Sequence, residues 1–155
     1  MAGRTFHFPG FSLVQGDIRV DVSLNRFERQ YERAQYYLDS QIMTDMVPYM
    51  PHRDGNFVNV TRLQSAALAG SGKVVAAAPP MGRFLYEGKV MIDPVTWSPW
   101  ARKGAKKVVT ERPLTYSNPK ATPHWFDTAK DAHGKAWVKG VKRIAGGGTK
   151  YTEKI

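Results

Sequence analysis

The sequence contains no cysteine. That absence excludes a disulfide scaffold and thiolate chemistry, and it removes the usual ligands of structural zinc. Long apolar runs are missing as well: no stretch approaches the roughly 18 residues of a membrane span, and Met1-Ala-Gly-Arg-Thr-Phe6 lacks the apolar core of a signal peptide. A soluble protein made in the cytoplasm, with no membrane partner, is therefore expected. Acidic residues are scarce in one region. Residues 101–155 hold Asp or Glu at 4 positions against Lys or Arg at 13, a net of +9, whereas residues 1–100 hold 9 and 10, a net of +1. So polarised a charge points to a particular face that meets a polyanion or an acidic partner.

Clusters that carry catalysis are missing too. The four histidines (His7, His52, His124 and His133) are scattered, and none forms an i, i+4 helical pair with a carboxylate. Gly70-Ser-Gly-Lys73 invites comparison with a phosphate-binding loop, but Ala67 stands where that loop needs its first glycine. Val74 stands where it needs a magnesium-binding hydroxyl. A plain turn is the better reading. His124-Trp-Phe-Asp127 could be read as an acid–base pair, yet at a helix start the aromatics serve as anchors and the aspartate favours the dipole. No serine sits in a nucleophile elbow. No catalytic residue, cofactor or metal is expected, and the chain reads as a non-enzyme.

With 42% hydrophobic and 12% aromatic residues, 155 residues suffice for one globular domain. The core is expected over about 17–148, with a flexible tail at 149–155. Ile18, Val20, Val22 and Leu24 alternate with polar residues as in a half-buried strand. Asn25 with Glu28 resembles a capping box. Phe27, Tyr31, Ala34, Leu38, Ile42 and Met46 then recur at helical spacing, which predicts an amphipathic helix over 25–47 ended by Pro48. Phe57–Thr61 reads as a strand, as does Lys73–Ala78 before Pro79-Pro80. Met81–Tyr86 is open between a helical turn and a strand end. Residues 88–119 read as a long extended loop or arm, with a strand pair at Lys107–Thr110 and Leu114–Tyr116. Thr122 as cap and Pro123 at the first position open a second helix over 123–145. Phe126, Ala129, Ala136/Trp137, Val141 and Ile144 form its stripe, and Gly146 its stop. The expected class is α+β: a small, mostly antiparallel sheet with two main helices packed on one side.

Three readings fit the basic residues. Trp97, Trp100 and Tyr116 among Arg102, Lys103, Lys106 and Lys107 match the charge-plus-stacking recipe for single-stranded nucleic acid. The same set, with Phe84 and Tyr86, could instead form a protein interface, the aromatics as anchors and the cations as rim. The cations Lys135, Lys139, Lys142 and Arg143 of the last helix are either a solvated face or candidate DNA-facing residues.

Three stretches carry a family resemblance. They are Asn25-Arg-Phe-Glu-Arg-Gln-Tyr-Glu-Arg-Ala-Gln-Tyr-Tyr-Leu-Asp39 with its continuation to Pro51, Gly70-Ser-Gly-Lys-Val-Val-Ala-Ala-Ala-Pro-Pro-Met-Gly-Arg-Phe-Leu-Tyr-Glu-Gly-Lys89, and Pro123-His-Trp-Phe-Asp127 with its helix. In this order, over roughly residues 20–148, they resemble the minor capsid proteins of long-tailed bacteriophages of Gram-positive bacteria. The resemblance implies a virion protein of the head–tail connector, similar to tail-completion (neck) proteins. Such proteins form rings, commonly hexameric, between head-side stopper and tail terminator, with a channel for DNA. It also implies a strand after Asp54-Gly55, a strand ending in the aromatic-Glu-Gly turn at Phe84–Gly88, and no catalytic residue to carry over. Adaptor, stopper and terminator rings share the label. A stand-alone basic nucleic-acid-binding protein is the rival reading.

Overall fold

The structure, a computed structural model, describes residues 11–22 and 25–146. Within them the chain is α+β, with small antiparallel strand pairs and two long helices packed on each other. Strands β1 (Phe11–Gln15) and β2 (Ile18–Val22) form a hairpin, Leu13 opposite Val20, turned at Gly16 with φ +59°. Helix α1 (Asn25–Met46) follows, then a single 3-10 turn, Val47–Tyr49. Helices α2 (Asn56–Leu68) and α3 (Gly82–Glu87) precede a second hairpin, β3 (Lys89–Ile92) with β4 (Val108–Pro113). Helix α4 (Trp125–Ala145) closes the described fold. The expected tail at 149–155 and the outset of the core before α1 at 23–24 lie outside the described residues.

The core forms where α1, its 3-10 extension, α2 and α4 meet. Met43, Met46, Met50, Val58, Trp125, Ala129 and Trp137 are buried together. Each indole N–H finds an acceptor, as buried polar groups require: Trp125 Nε1 donates to the Ala76 carbonyl at 2.9 Å, and Trp137 Nε1 to Asp45 Oδ2 at 2.6 Å. Gly140 makes room for the Tyr37 ring between α1 and α4, since a Cβ there would come within 3.0 Å of it.

Several elements differ from the sequence expectation. Phe57–Thr61 is not a strand but the start of α2. Its buried face carries Val58, Thr61 and Ser65, so two of three inward residues are polar and the apolar stripe of a helix is masked. Asp54 Oδ1 accepts the Asn56 N–H at 3.1 Å where that helix begins. Lys73–Ala78 is irregular instead of a strand, its backbone groups being satisfied by side chains. Ser65 Oγ bonds both Val75 N (3.1 Å) and Val75 O (3.0 Å), and Thr61 Oγ1 accepts Ala78 N at 3.3 Å. Phe84–Gly88 ends helix α3, not a strand, with Gly88 at φ +67° closing it against Pro123.

The 88–119 span is not one long loop. It holds β3 and β4, so the expected pairing of Lys107–Thr110 with Leu114–Tyr116 is replaced by Lys89–Ile92 with Val108–Pro113. At the irregularity between Lys89 and Met91, Thr110 Oγ1 donates to the Val90 carbonyl at 2.7 Å. Residues 116–122 then strap the core: Asn118 Nδ2 donates to the Pro48 and Met50 carbonyls (3.0 and 2.9 Å), and Tyr116 Oη to that of Leu85 (2.6 Å). Helix α4 starts two residues later than expected, at Trp125. His124 (φ +50°) is its N-cap, while Thr122 Oγ1 pairs with Thr128 Oγ1 at 2.9 Å. Of the Ala136/Trp137 pair, Trp137 faces inward and Ala136 is exposed.

Candidate functional site

The connection between β3 and β4, residues 93–107, is organised by one buried carboxylate. Asp93-Pro94 opens the loop, and Asp93 Oδ1 accepts the N–H groups of Val95 (2.8 Å) and Thr96 (3.4 Å), an Asx turn. Asp93 Oδ2 accepts Arg102 N (3.1 Å) and Arg102 Nε (2.9 Å), while Arg102 Nη2 reaches Oδ1 at 3.3 Å. The guanidinium thus forks the carboxylate and its own backbone N–H joins it. Asp93 is fully buried although the Arg102 side chain is half exposed. The Asp93 backbone also donates to Ser98 O and accepts from Trp97 N, each at 2.9 Å. Arg102 foremost, then the Val95 N–H, holds the Asp93 carboxyl well below the usual carboxylate range despite its burial, and Asp93 in turn raises the guanidinium.

What this scaffold displays is apolar. Trp97 is 76% and Trp100 86% exposed, and Val95 beside them is 66% exposed. Trp97 is held at φ +56°, a left-handed conformation unusual for a bulky residue. Trp100 N bonds Ser98 Oγ at 3.1 Å. Val108 and Val109 at the start of β4 are exposed too. Lys103 and Lys106 are exposed in the same loop, which therefore presents two tryptophans and two cations to solvent.

The other residues singled out from the sequence fall in two places. Phe84 and Tyr86 are half-buried on α3. Lys107 Nζ lies 5.3 Å over the Phe84 ring, and Tyr86 packs edge-on to Trp125 (4.8 Å) and His124 (4.9 Å). Burial, with Asp127 and Glu87 nearby, raises the Tyr86 hydroxyl pKa. These three residues tie the base of the hairpin to α4 and are not displayed with the tryptophans. Lys135, Lys139, Lys142 and Arg143 are exposed on α4. Sequence reasoning named Arg102 as a rim cation but missed Asp93, its anchor. The signal was Asp93-Pro94-Val95-Thr96, an Asx-turn pattern; the fork by a residue nine positions on has no local signature.

In Gly70-Ser-Gly72 the backbone N–H groups that would cradle a phosphate are taken up within the chain: Gly70 N (2.8 Å) and Gly72 N (3.0 Å) donate to Asp39 Oδ2. Asp39 is buried on α1, and Gln35 Nε2 donates to its other oxygen at 2.7 Å. His124 lies 3.7 Å from Glu87 rather than pairing its side chain with Asp127, whose N–H bonds the His124 carbonyl. Among the described residues no group of three or more His, Asp or Glu could hold a metal ion, and no helix is long and apolar enough to cross a membrane. Comparison with known protein families, curated proteins and solved structures finds no match for this chain.

Proposed function

We propose that this chain is a structural protein of the phage head–tail connector, a neck ring of the tail-completion kind. The ring, a hexamer by resemblance, would join the head-side stopper to the tail terminator and leave a channel for DNA. Its place is the virion's head–tail junction, reached from the host cytoplasm during assembly. Adaptor, stopper and terminator rings are the nearest alternatives, distinguished by which neighbours the protein contacts.

The observation that carries the reading is the pair of exposed tryptophans on the Asp93-tied loop. Holding two indoles in water has no benefit for the isolated chain, and apolar residues clustered this way mark a surface meant to be covered. Because Asp93 and Arg102 fix the backbone, little ordering entropy remains to be lost on docking. Lys103 and Lys106 fit the rim of such a contact and favour an acidic neighbour. The family resemblance supplies the virion context. Contact with genomic DNA in the channel would be weak and indifferent to sequence, since a tight grip would oppose passage.

Removing both indoles tests this. W97A/W100A should fold with an unchanged melting temperature, the side chains being exposed. It should lose ring assembly, or incorporation into virions, by at least tenfold as read by light scattering and particle composition. Assembly equal to wild type would contradict the proposal. The rival, a stand-alone nucleic-acid-binding protein, draws on the exposed Lys135, Lys139 and Lys142 of α4. It predicts a monomer or dimer unaffected by W97A/W100A in stoichiometry.

A further inference from the structure

The packing of α1 on α4 gathers cations that are far apart in the chain. Tyr37 lies against Gly140, Asp45 bonds Trp137, and the Tyr49 ring sits 6.4 Å from that of His133. Residue numbers therefore fall along α1 as they rise along α4: the pair is antiparallel. The first turns of α1 stand beside the last turns of α4. That end carries exposed Arg26, Arg29 and Arg33 from one helix and exposed Lys139, Lys142 and Arg143 from the other.

Helical geometry sharpens the grouping. At 3.6 residues per turn, Arg26, Arg29 and Arg33 span an arc of about 60° on α1, and Lys139 and Arg143 one of about 40° on α4. The contact line runs through Tyr37 and Asp45 on α1, and through Trp137 and Gly140 on α4. The centre of each arc lies a quarter to a third of a turn from that line, in the same rotational sense. In an antiparallel pair that means the same flank. Lys135 and Lys142 sit behind α4, so the sequence grouping of the α4 cations is divided by the fold.

Three observations point to the ligand. Arg26, in the first turn of α1, works against the helix dipole, so helix stability does not account for it. Glu28, the acidic residue of that first turn, is buried. Among the described residues Arg26, Arg29, Arg33 and Lys139 form no ion pair. Arg29 and Arg33 line a shallow depression with Tyr36 and a single carboxylate, Glu32. On the α4 side the flank adds the exposed Ala132 and Ala136, which carry no aromatic anchor, and Tyr36 in the depression is an aromatic ring set among the arginines.

We infer that this flank of the α1–α4 pair, with Arg26, Arg29 and Arg33 at its centre and Lys139 and Arg143 at its edge, binds the phosphate backbone of double-stranded DNA without sequence preference. The inference deepens the DNA-path part of the reading above. It moves the main contact from the α4 lysines to α1. The tryptophan loop belongs to the other end of the pair, since the base of its hairpin, Gly88, rests against Pro123 just before α4.

The test is fluorescence anisotropy of the full chain with a labelled duplex of about 30 base pairs, between about 50 and 200 mM salt. Five phosphate contacts predict a slope of log affinity against log salt near −4.5, a fall of roughly 500-fold across that range. R26Q/R29Q/R33Q should bring the slope to about −1.8, and K139Q should remove about one unit. W97A/W100A should leave the slope unchanged, which separates this inference from failure of the assembly reading. No binding at the lowest salt, a slope untouched by the triple variant, or tighter binding of poly-glutamate than of duplex would overturn it. Should the triple variant melt early, the single-unit effect of K139Q decides.

Discussion

Asp93 is the residue on which the proposed interface depends. Its carboxylate accepts three backbone N–H groups and the Arg102 fork, while Asn could accept through one oxygen only and would carry no charge. D93N should loosen residues 94–102, with amide exchange at Val95 and Arg102 faster by about tenfold or more. Trp100 should become more mobile on the fluorescence timescale, while the helical core melts as before. Unchanged exchange would show that the loop is held by something else. The pH dependence follows from the sign of the shift. Arg102 and the Val95 N–H lower the carboxyl in the folded state, so its contribution is complete above the ordinary aspartate value of about 3.9 and is lost only as acid reaches the folded-state value. The loop should thus stay ordered throughout the neutral range, and protection at Val95 should fall only in strong acid.

At the scale of elements, two glycines of α4 make opposite predictions. A methyl at Gly140 would press on the Tyr37 ring within 3.0 Å, whereas at Gly134 the nearest contact is Lys130 Cγ at 3.8 Å. G134A should stabilise the protein by about 0.5–1 kcal/mol through helix propensity alone. G140A should gain the same propensity but displace the end of the Tyr37 ring packed between the helices, for a net loss of about 1–2 kcal/mol in thermal unfolding. A stabilising G140A would mean that the close approach is not tight. These helices were also what the sequence showed best, although on α1 Phe27 and Tyr31 of the expected stripe are exposed while Glu28 and Asp39 are buried. Helix α2 was hidden by the same logic: Thr61 and Ser65 point inward to bond the irregular 75–78 segment, so the period is not hydrophobic. The Lys73–Ala78 run suggests a strand, yet its hydrogen bonds go to side chains up to 49 positions away, which no local pattern records. In the candidate site, Trp97 and Trp100 could be singled out as anchors by composition and neighbouring charge. Their rigid presentation came only with the Asp93–Arg102 fork.

Across the whole molecule, the charge asymmetry of the chain becomes an arrangement in space. The C-terminal third is basic in sequence, but the fold separates Lys103 and Lys106 on the tryptophan loop, Lys135 and Lys142 on the back of α4, and Lys139 and Arg143 on the flank shared with the α1 arginines. A molecule with an apolar, basic-rimmed loop at one end of its helix pair and an arginine-rich flank at the other is suited to sit between protein neighbours and a DNA path. The two ends can be separated experimentally, as W97A/W100A and R26Q/R29Q/R33Q should each disable one function and spare the other. The most direct measurement of the central claim is electron cryomicroscopy of intact virions, with particles lacking this chain imaged beside them. Density for a ring of this fold is expected at the head–tail junction, with Trp97 and Trp100 covered by a neighbouring subunit, and filled heads separated from free tails are expected when the chain is missing. Virions without this chain at the junction, or with both indoles facing solvent in the assembled ring, would contradict that claim.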